Sequence, residues 1–193
     1  MGKRTGEKHQ VILDAAVKTF ARTGYHRTRV ADIAREAGVA DGTVYIYFKS
    51  KEDILISLFQ TLMYRFVKEL QNELAQCLDA NDKLKKIIAY HLTILGNNPE
   101  QARVTQIELR QIDQTINKGI SKPLKDYFEL LEEVIKEGKD QGLYRQNLDV
   151  RTARKVVFGA IDEVVTCWVM SGKPYRLTEL KDSVFNMLVR GLQ

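Results

Sequence analysis

Apolar residues return every three or four positions along most of the chain, and this spacing constrains the fold more than any other feature of the sequence. Such spacing places the apolar side chains on one face of an α-helix. The 193 residues contain three prolines, and no segment alternates apolar and polar residues as a strand with one buried face does. The sequence therefore predicts an all-α fold of about nine helices.

The predicted helices begin near capping residues and end near glycine or proline. Glycine often ends a helix because it adopts a positive φ without a steric penalty. Gly24, Gly38 and Gly142 follow the first, second and seventh predicted helices. The approximate ranges, in chain order, are 7–23, 30–37, 41–48, 51–78, 82–95, 99–111, 120–141, 149–171 and 177–192.

The positive charge of the chain is concentrated in its first quarter. The formal net charge is +5. Residues 1–51 hold ten Lys or Arg and five Asp or Glu, whereas the remaining residues hold 20 of each kind. This asymmetry favours a head, residues 1–51, that binds a polyanion, and a neutral body, residues 52–193. A basic surface without a partner is the alternative, and charge by itself does not decide between the two.

Several classes of protein are disfavoured by the sequence. Apolar runs fall short of the ~18 residues needed to cross a bilayer, and the basic N-terminus lacks the pattern of a secretory signal, so we expect a cytoplasmic protein. Cys77 and Cys167 do not have the spacing of metal ligands, and neither a metal site nor a resident cofactor is expected. The motifs of zinc proteases, serine hydrolases and nucleotide-binding loops are absent from the sequence, which argues against an enzyme.

Residues 30–48 have the pattern of a helix-turn-helix, in which a tight glycine-containing turn joins two short helices. Gly38 supplies the turn, and the small side chain of Ala34 lets the two helices approach closely. Val44 and Phe48 lie four residues apart and are predicted to face the core. The side chains left on the outer face of the second helix are those of Thr43, Tyr45 and Tyr47.

The eighth predicted helix carries two rows of apolar residues instead of one. A helix that is apolar almost all round is buried on most of its surface. Together with the last helix it predicts a four-helix bundle between two subunits of a homodimer. An internal core helix is the alternative. The residues assigned to the dimer interface are Val157, Ile161, Val165, Val184 and Leu188.

Aromatic and apolar residues of the central helices are candidates for a ligand pocket as well as for core packing. Arg103 and Arg110 lie seven residues apart, so they are predicted to project from one helix face, where they could hold an anionic group. A solvated face is the alternative, with Glu108 and Asp113 balancing the arginines.

Residues 8–55 resemble the N-terminal domain of TetR-family regulators. The shared pattern lies in GYHRTRVADIAREAGVADGTVYIYFKSKEDIL and includes a Gly-aromatic pair, Ala-Gly-Val and Gly-Thr-hydrophobic-Tyr-x-(His/Tyr)-Phe. Tyr47 stands where histidine is more common. The resemblance implies a helical, dimeric regulator that binds double-stranded operator DNA. By position it implies DNA contacts from Arg29, Ala40, Asp41, Gly42, Thr43, Tyr45, Tyr47 and Lys51.

Three segments, AGVADGTVYIYFKSKEDILISLF, VTQIELRQ and FGAIDEVVTCWVMSG, are similar to TetR-family repressors of fatty-acid degradation in Gram-positive bacteria. This closer resemblance implies that long-chain acyl-CoA is the inducer that releases the operator. A regulator that senses a drug or a different lipid is the alternative. The residues assigned to ligand binding are Phe66, Tyr90, Arg103, Ile107, Arg110, Phe128, Phe158 and Trp168.

Overall fold

The computed structural model describes residues 2–108, 114–172 and 175–193. Within these ranges every regular element is helical, so the predicted all-α class is confirmed. A π-helical segment, Val104–Glu108, continues from α6, and a 3-10 turn, Leu177–Leu180, leads into α9. The nine α-helices of the described residues are α1 Gly2–Thr23, α2 Val30–Glu36, α3 Asp41–Tyr47, α4 Lys51–Leu74, α5 Ala80–Gly96, α6 Pro99–Arg103, α7 Gln114–Asp140, α8 Val150–Ser171 and α9 Lys181–Leu192.

The order of the helices agrees with the prediction, while α1 begins at residue 2 instead of 7, α4 ends at residue 74 instead of 78, and α9 begins at residue 181 after a 3-10 turn. The largest changes lie around α6 and α7. The predicted sixth helix turns π-helical after Arg103. The seventh begins at Gln114 instead of near residue 120 and continues through Pro123. A proline inside a helix removes one backbone hydrogen bond, and α7 continues through Pro123 despite this loss. Among the described residues, no helix is both long and apolar enough to span a membrane.

The described residues form two compact units, and each includes two stretches of chain. The first unit comprises Met1–Leu62 and Glu100–Lys122, and the second comprises Met63–Pro99 and Pro123–Gln193. Helices α4, α6 and α7 contribute residues to both units. The domain boundary between residues 51 and 52 stays a prediction.

The core of the first unit is built by α1, α2 and α3. The apolar stripe of α1 buries Ile12 and Phe20, and α3, which packs against α2, buries Val44. At the surface, the Arg22 guanidinium on α1 lies 3.3 Å from the Glu36 carboxylate on α2. An exposed ion pair of this kind contributes little stability, so apolar burial holds these three helices together.

The first unit also contains a close contact between α4 and α7. The Gln60 side-chain amide donates to the Gly119 carbonyl oxygen at 2.8 Å. A Cβ atom at Gly119 would lie 2.7 Å from side-chain carbons of Ile56. The absence of a side chain at Gly119 therefore lets the two helices approach this closely.

The second unit packs α5 against α8 and α9. Val157, Ile161 and Val165 on α8 are all 0% exposed in the single chain. These residues pack inside the protomer, so their assignment to a dimer interface is wrong, and the alternative of an internal core row is correct for them. Val184 and Leu188 on α9 are likewise 9% exposed and buried within the unit. Sequence spacing finds two apolar rows but does not tell which row faces the core.

Candidate nucleic-acid interface and ligand-binding cluster

The start of α2 is fixed by hydrogen bonds between Arg29 and Asp32. The Asp32 carboxylate accepts from the Arg29 backbone N–H at 3.0 Å, and the Arg29 Nε lies 3.6 Å from it. The backbone hydrogen bond from Arg29, followed by the charges of Arg29 and Arg35, lowers the pKa of Asp32. The Arg29 side chain is 80% exposed, so its guanidinium is available on the surface of the helix-turn-helix.

The turn between α2 and α3 follows the predicted chemistry. Gly38 adopts a φ of 66°, a left-handed conformation that costs other residues energy. The Val39 backbone N–H then donates to the Ala34 carbonyl oxygen at 3.0 Å. Ala40 is the N-cap of α3 and offers no capping side chain. The first backbone N–H groups of α3 are therefore not capped by the Ala40 side chain.

Helix α3 buries the face that the sequence predicts, whereas its outer face differs in part from the prediction. Val44 is fully buried, and Phe48, directly after the helix, is 2% exposed. Tyr45 is 57% exposed, whereas Tyr47 is half-buried, with its ring centroid 6.3 Å from that of His9. Tyr45 is thus the more accessible of the two tyrosines. The remaining assigned residues of α3 and its N-cap, namely Ala40, Asp41 and Gly42, are exposed, and Thr43 is half-buried.

Lys51 has a structural role that the sequence analysis did not foresee. Its ammonium lies 2.9, 3.3 and 3.0 Å from the carbonyl oxygens of Tyr25, His26 and Thr28, and 4.5 Å from the centroid of the Tyr25 ring. An ammonium has three N–H donors, and these carbonyls engage all of them. Lys51 therefore ties the start of α4 to the turn after α1, and its contact with DNA stays a prediction.

The same turn is tied to α4 by a second pair. The Tyr25 hydroxyl donates to the Glu52 carboxylate at 2.9 Å. The Ser50 side chain first, then the Glu52 backbone N–H and the Tyr25 hydroxyl, lower the pKa of Glu52 through hydrogen bonds. Tyr25 belongs to the Gly-aromatic pair of the sequence pattern, which was the available signal for this contact.

An aromatic cluster lies in the second unit and brings together four of the residues assigned to ligand binding. The Phe66 ring centroid lies 5.1 Å from that of Tyr90 and 5.4 Å from that of Tyr127. Phe158 lies 6.1 Å from Tyr127 and 4.9 Å from Phe128. These are ordinary distances for edge and tilted aromatic pairs. Helices α4, α5, α7 and α8 therefore each contribute a ring to one connected set of aromatic contacts, here called the aromatic cluster.

A buried polar pair stands inside the aromatic cluster. The Nδ1 atom of His91 and the hydroxyl oxygen of Tyr127 lie 3.1 Å apart, and the His91 tautomer determines which of them donates. Burial lowers the pKa of His91 to about 4, so the imidazole is neutral at neutral pH. Burial, with a further contribution from the charge of Asp162, raises the pKa of Tyr127. Neither residue was assigned to the site, because a single histidine on a helix carries no distinctive spacing.

Charged groups flank the aromatic cluster at two points. The Tyr90 hydroxyl donates to the Glu69 carboxylate at 2.6 Å, and burial followed by this hydrogen bond raises the pKa of Tyr90. The Arg154 guanidinium carbon lies 4.3 Å from the Phe128 ring centroid, and its Nε lies 3.4 Å from Glu132. The arginine is thereby held over an aromatic face.

Of the other residues assigned to ligand binding, Trp168, Arg103 and Ile107 have none of the ring contacts that define this cluster. The Trp168 indole N–H donates to the Tyr175 carbonyl oxygen at 3.0 Å. Arg103 and Ile107 belong to the first unit and are exposed, and Arg110 lies outside the described residues. A role for these arginines toward an anionic group stays a prediction. The described residues contain no cluster of side chains suited to bind a metal ion.

Similarity to known proteins extends over nearly the whole chain. The model for bacterial regulatory proteins of the tetR family matches residues 12–58. The model for the C-terminal region of YsiA-like protein matches residues 59–191. The fatty acid metabolism regulator protein of Bacillus subtilis is 43% identical over 190 residues, which cover 98% of each chain.

Two solved structures are similar along the same length. The fatty acid degradation regulator FadR from Bacillus halodurans is 46% identical with a TM-score of 0.91, over 95% of this chain and 99% of that one. FadR from Bacillus subtilis in complex with stearoyl-CoA is 43% identical with a TM-score of 0.92 and the same coverage. The chain therefore belongs to the TetR family of bacterial regulatory proteins and is a transcriptional regulator, not an enzyme.

Proposed function

We propose that this protein is a homodimeric repressor of fatty-acid degradation genes, which binds operator DNA and is released from it by long-chain acyl-CoA. The observation that carries the proposal is the likeness to the FadR structure with stearoyl-CoA, at 43% identity and a TM-score of 0.92. At that similarity the likeness extends to both units of the chain. Its place of action is the cytoplasm, where a bacterial operator is accessible.

DNA binding is supported by the charge and the geometry of the head. Double-stranded DNA attracts basic surfaces, and phosphate contacts position a protein on the duplex. Arg27, Arg29, Arg35 and Lys49 are all exposed in the head. A helix that carries exposed hydroxyl groups, as α3 does with Tyr45, suits contacts with phosphates and base edges in the major groove. The contacting residues we propose are Arg29, Ala40, Asp41, Gly42, Thr43, Tyr45 and Tyr47.

Acyl-chain binding is supported by the aromatic cluster. Phe66, Tyr90, Phe128 and Phe158 form an apolar wall of the kind that lines ligand pockets. Each methylene of an acyl chain that leaves water for such a wall stabilises the complex by about 0.8 kcal/mol. The proposal therefore includes a preference for long over short acyl chains.

Dimerisation is supported by the outward face of α8 and α9, in place of the row that the sequence analysis assigned. Val156 is 59% exposed and Met187 is 75% exposed in the single chain, and Ala160 and Val164 are half-buried. Apolar residues exposed along two helices suit a symmetric contact in which the same surface of each subunit takes part. Two heads in one dimer read two half-sites of a palindrome.

Release of DNA requires that acyl-CoA binds one state of the protein more tightly than another. The chain passes between the two units three times, within α4, α6 and α7, so a change in the second unit has three covalent connections to the first. A regulator for another hydrophobic ligand, such as a drug, would share the head and would differ in what the aromatic cluster binds.

Calorimetric titration with stearoyl-CoA, free CoA and stearate tests the ligand assignment. We expect saturable binding of stearoyl-CoA and much weaker binding of both fragments. Phe66→Ala should weaken binding about tenfold or more, whereas Tyr64→Ala, which removes a 70% exposed aromatic ring from the same helix, should leave it unchanged. Absence of stearoyl-CoA binding would refute the acyl-CoA assignment and favour another hydrophobic ligand.

A further inference from the structure

Ile46 is the most exposed of the large apolar side chains that the structure describes in the first unit. It is 77% exposed, compared with 57% for its neighbour Tyr45 and 46% for Val11 on α1. Its side chain has no polar atom, so it does not contribute a hydrogen bond to a phosphate or to a base edge. Covering an isoleucine that is exposed in this way with an apolar group is favourable, because it removes apolar surface from water.

The position of Ile46 on α3 points it directly away from the core. Residues of an α-helix follow one another by about 100°, so Ile46, two residues after the fully buried Val44, lies about 200° from it. Gly42 lies one turn earlier on the same outer face, and a Cβ built there would meet nothing within 4 Å. On the outer face of α3, beside the exposed Tyr45, a bulky apolar side chain therefore lies next to the bare backbone at Gly42.

We propose that Ile46 reads the operator sequence by packing against the 5-methyl group of a thymine in the major groove. The inference rests on the proposed DNA binding through α3. In the major groove the thymine methyl is the apolar group by which one base pair differs from the others. The bare backbone at Gly42 lets α3 approach the groove closely enough for this contact.

Replacement of thymine by uracil tests the contact, because uracil lacks the methyl group and retains every polar atom. The probe is the duplex that the protein selects from a random-sequence library, with each thymine of one half-site replaced in turn. For the wild-type protein we expect one position at which uracil weakens binding about fourfold, the effect of one methyl group leaving an apolar contact. For the Ile46→Ala variant, uracil in place of that thymine should not weaken binding further. Ile46→Val retains a branched side chain and should retain most of the sensitivity.

Leu78→Ala is the matched control, because Leu78 is 89% exposed and belongs to the second unit. This variant should respond to uracil as the wild-type protein does. Circular dichroism should show the same helical signal for all variants, since each replaced side chain is exposed. If uracil weakens Ile46→Ala and wild type equally at every position, or weakens neither, the assignment of Ile46 is wrong while DNA binding stands. If the wild-type protein selects no duplex, the proposed function fails as well.

Discussion

The Lys51 ammonium nitrogen lies 2.9 Å from the Tyr25 carbonyl oxygen, and the same nitrogen lies 4.5 Å from the centroid of the Tyr25 ring. One residue at the start of α4 thus holds both the backbone and the side chain of the turn after α1. That turn leads directly into α2 at residue 30. The orientation of the helix-turn-helix relative to the first turn of α4 therefore depends on this contact.

Replacing Lys51 with methionine should destabilise the protein by about 2 kcal/mol, because three carbonyl oxygens lose a charged donor and the ring contact is lost. Urea unfolding should show this loss of stability as a lower midpoint concentration of urea. Lys49→Met is the matched control, since Lys49 is exposed and loses the same charge. Equal stabilities of the two variants would show that the Lys51 contacts do not hold the turn.

The buried His91 should make stability depend on pH. Its pKa is about 4 in the folded protein and about 6.5 in the unfolded chain, so the unfolded chain takes up the proton first as the pH falls. The contribution of neutral His91 to the free energy of unfolding is fully present above pH 6.5. It falls by about 3 kcal/mol as the pH is lowered from 6.5 to 4. Urea unfolding at a series of pH values measures this loss.

His91→Gln keeps a polar group beside Tyr127 and removes the titration. The stability of this variant relative to the wild-type protein should therefore rise as the pH falls from 6.5 to 4. A constant difference between the two proteins across that range would contradict the assignment of a low pKa to His91.

Gly119→Ala should destabilise the protein by about 1 kcal/mol. An alanine normally stabilises a helix relative to glycine, but here the new Cβ would lie 2.7 Å from side-chain carbons of Ile56 and would force that side chain to move. Gly6→Ala is the control, because nothing lies within 4 Å of a Cβ at that position. If thermal unfolding shows that both variants are stabilised alike, α4 and α7 are not in the close contact described.

Val156→Glu should dissociate the proposed dimer, because it places a charge on the outward apolar face of α8. Sedimentation equilibrium should show a dimer for the wild-type protein and a shift toward monomer for the variant. Leu78→Glu, which alters another exposed apolar residue, should remain dimeric. A dimer with unchanged affinity in Val156→Glu would place the interface on a different surface.

The turn and the buried face of the helix-turn-helix could be predicted from the sequence, because their determinants are local, whereas the exposure of Ile46 was not predicted. Gly38 marks the turn, and the four-residue spacing of Val44 and Phe48 fixes which face of α3 is buried. The role of Lys51 could not be predicted in this way. It depends on carbonyl oxygens about 25 residues away in sequence, whose position only the folded chain determines.

The candidate ligand site was predicted in part. Aromatic type alone was enough to select Phe66 and Phe158, which the fold brings into one cluster through Tyr127. The same criterion selected Trp168, whose indole bonds to a backbone carbonyl instead. Residue type indicates which side chains favour an apolar site, but the packing of distant helices decides which of them meet.

Titration of the selected duplex with the protein at fixed salt concentration, with and without stearoyl-CoA, tests whether acyl-CoA releases the operator. We expect tight, sequence-specific binding that stearoyl-CoA abolishes and that free CoA and stearate at the same concentration leave intact. Fluorescence anisotropy of a labelled duplex measures this release. Specific binding that persists at saturating stearoyl-CoA would show that acyl-CoA is not the inducer.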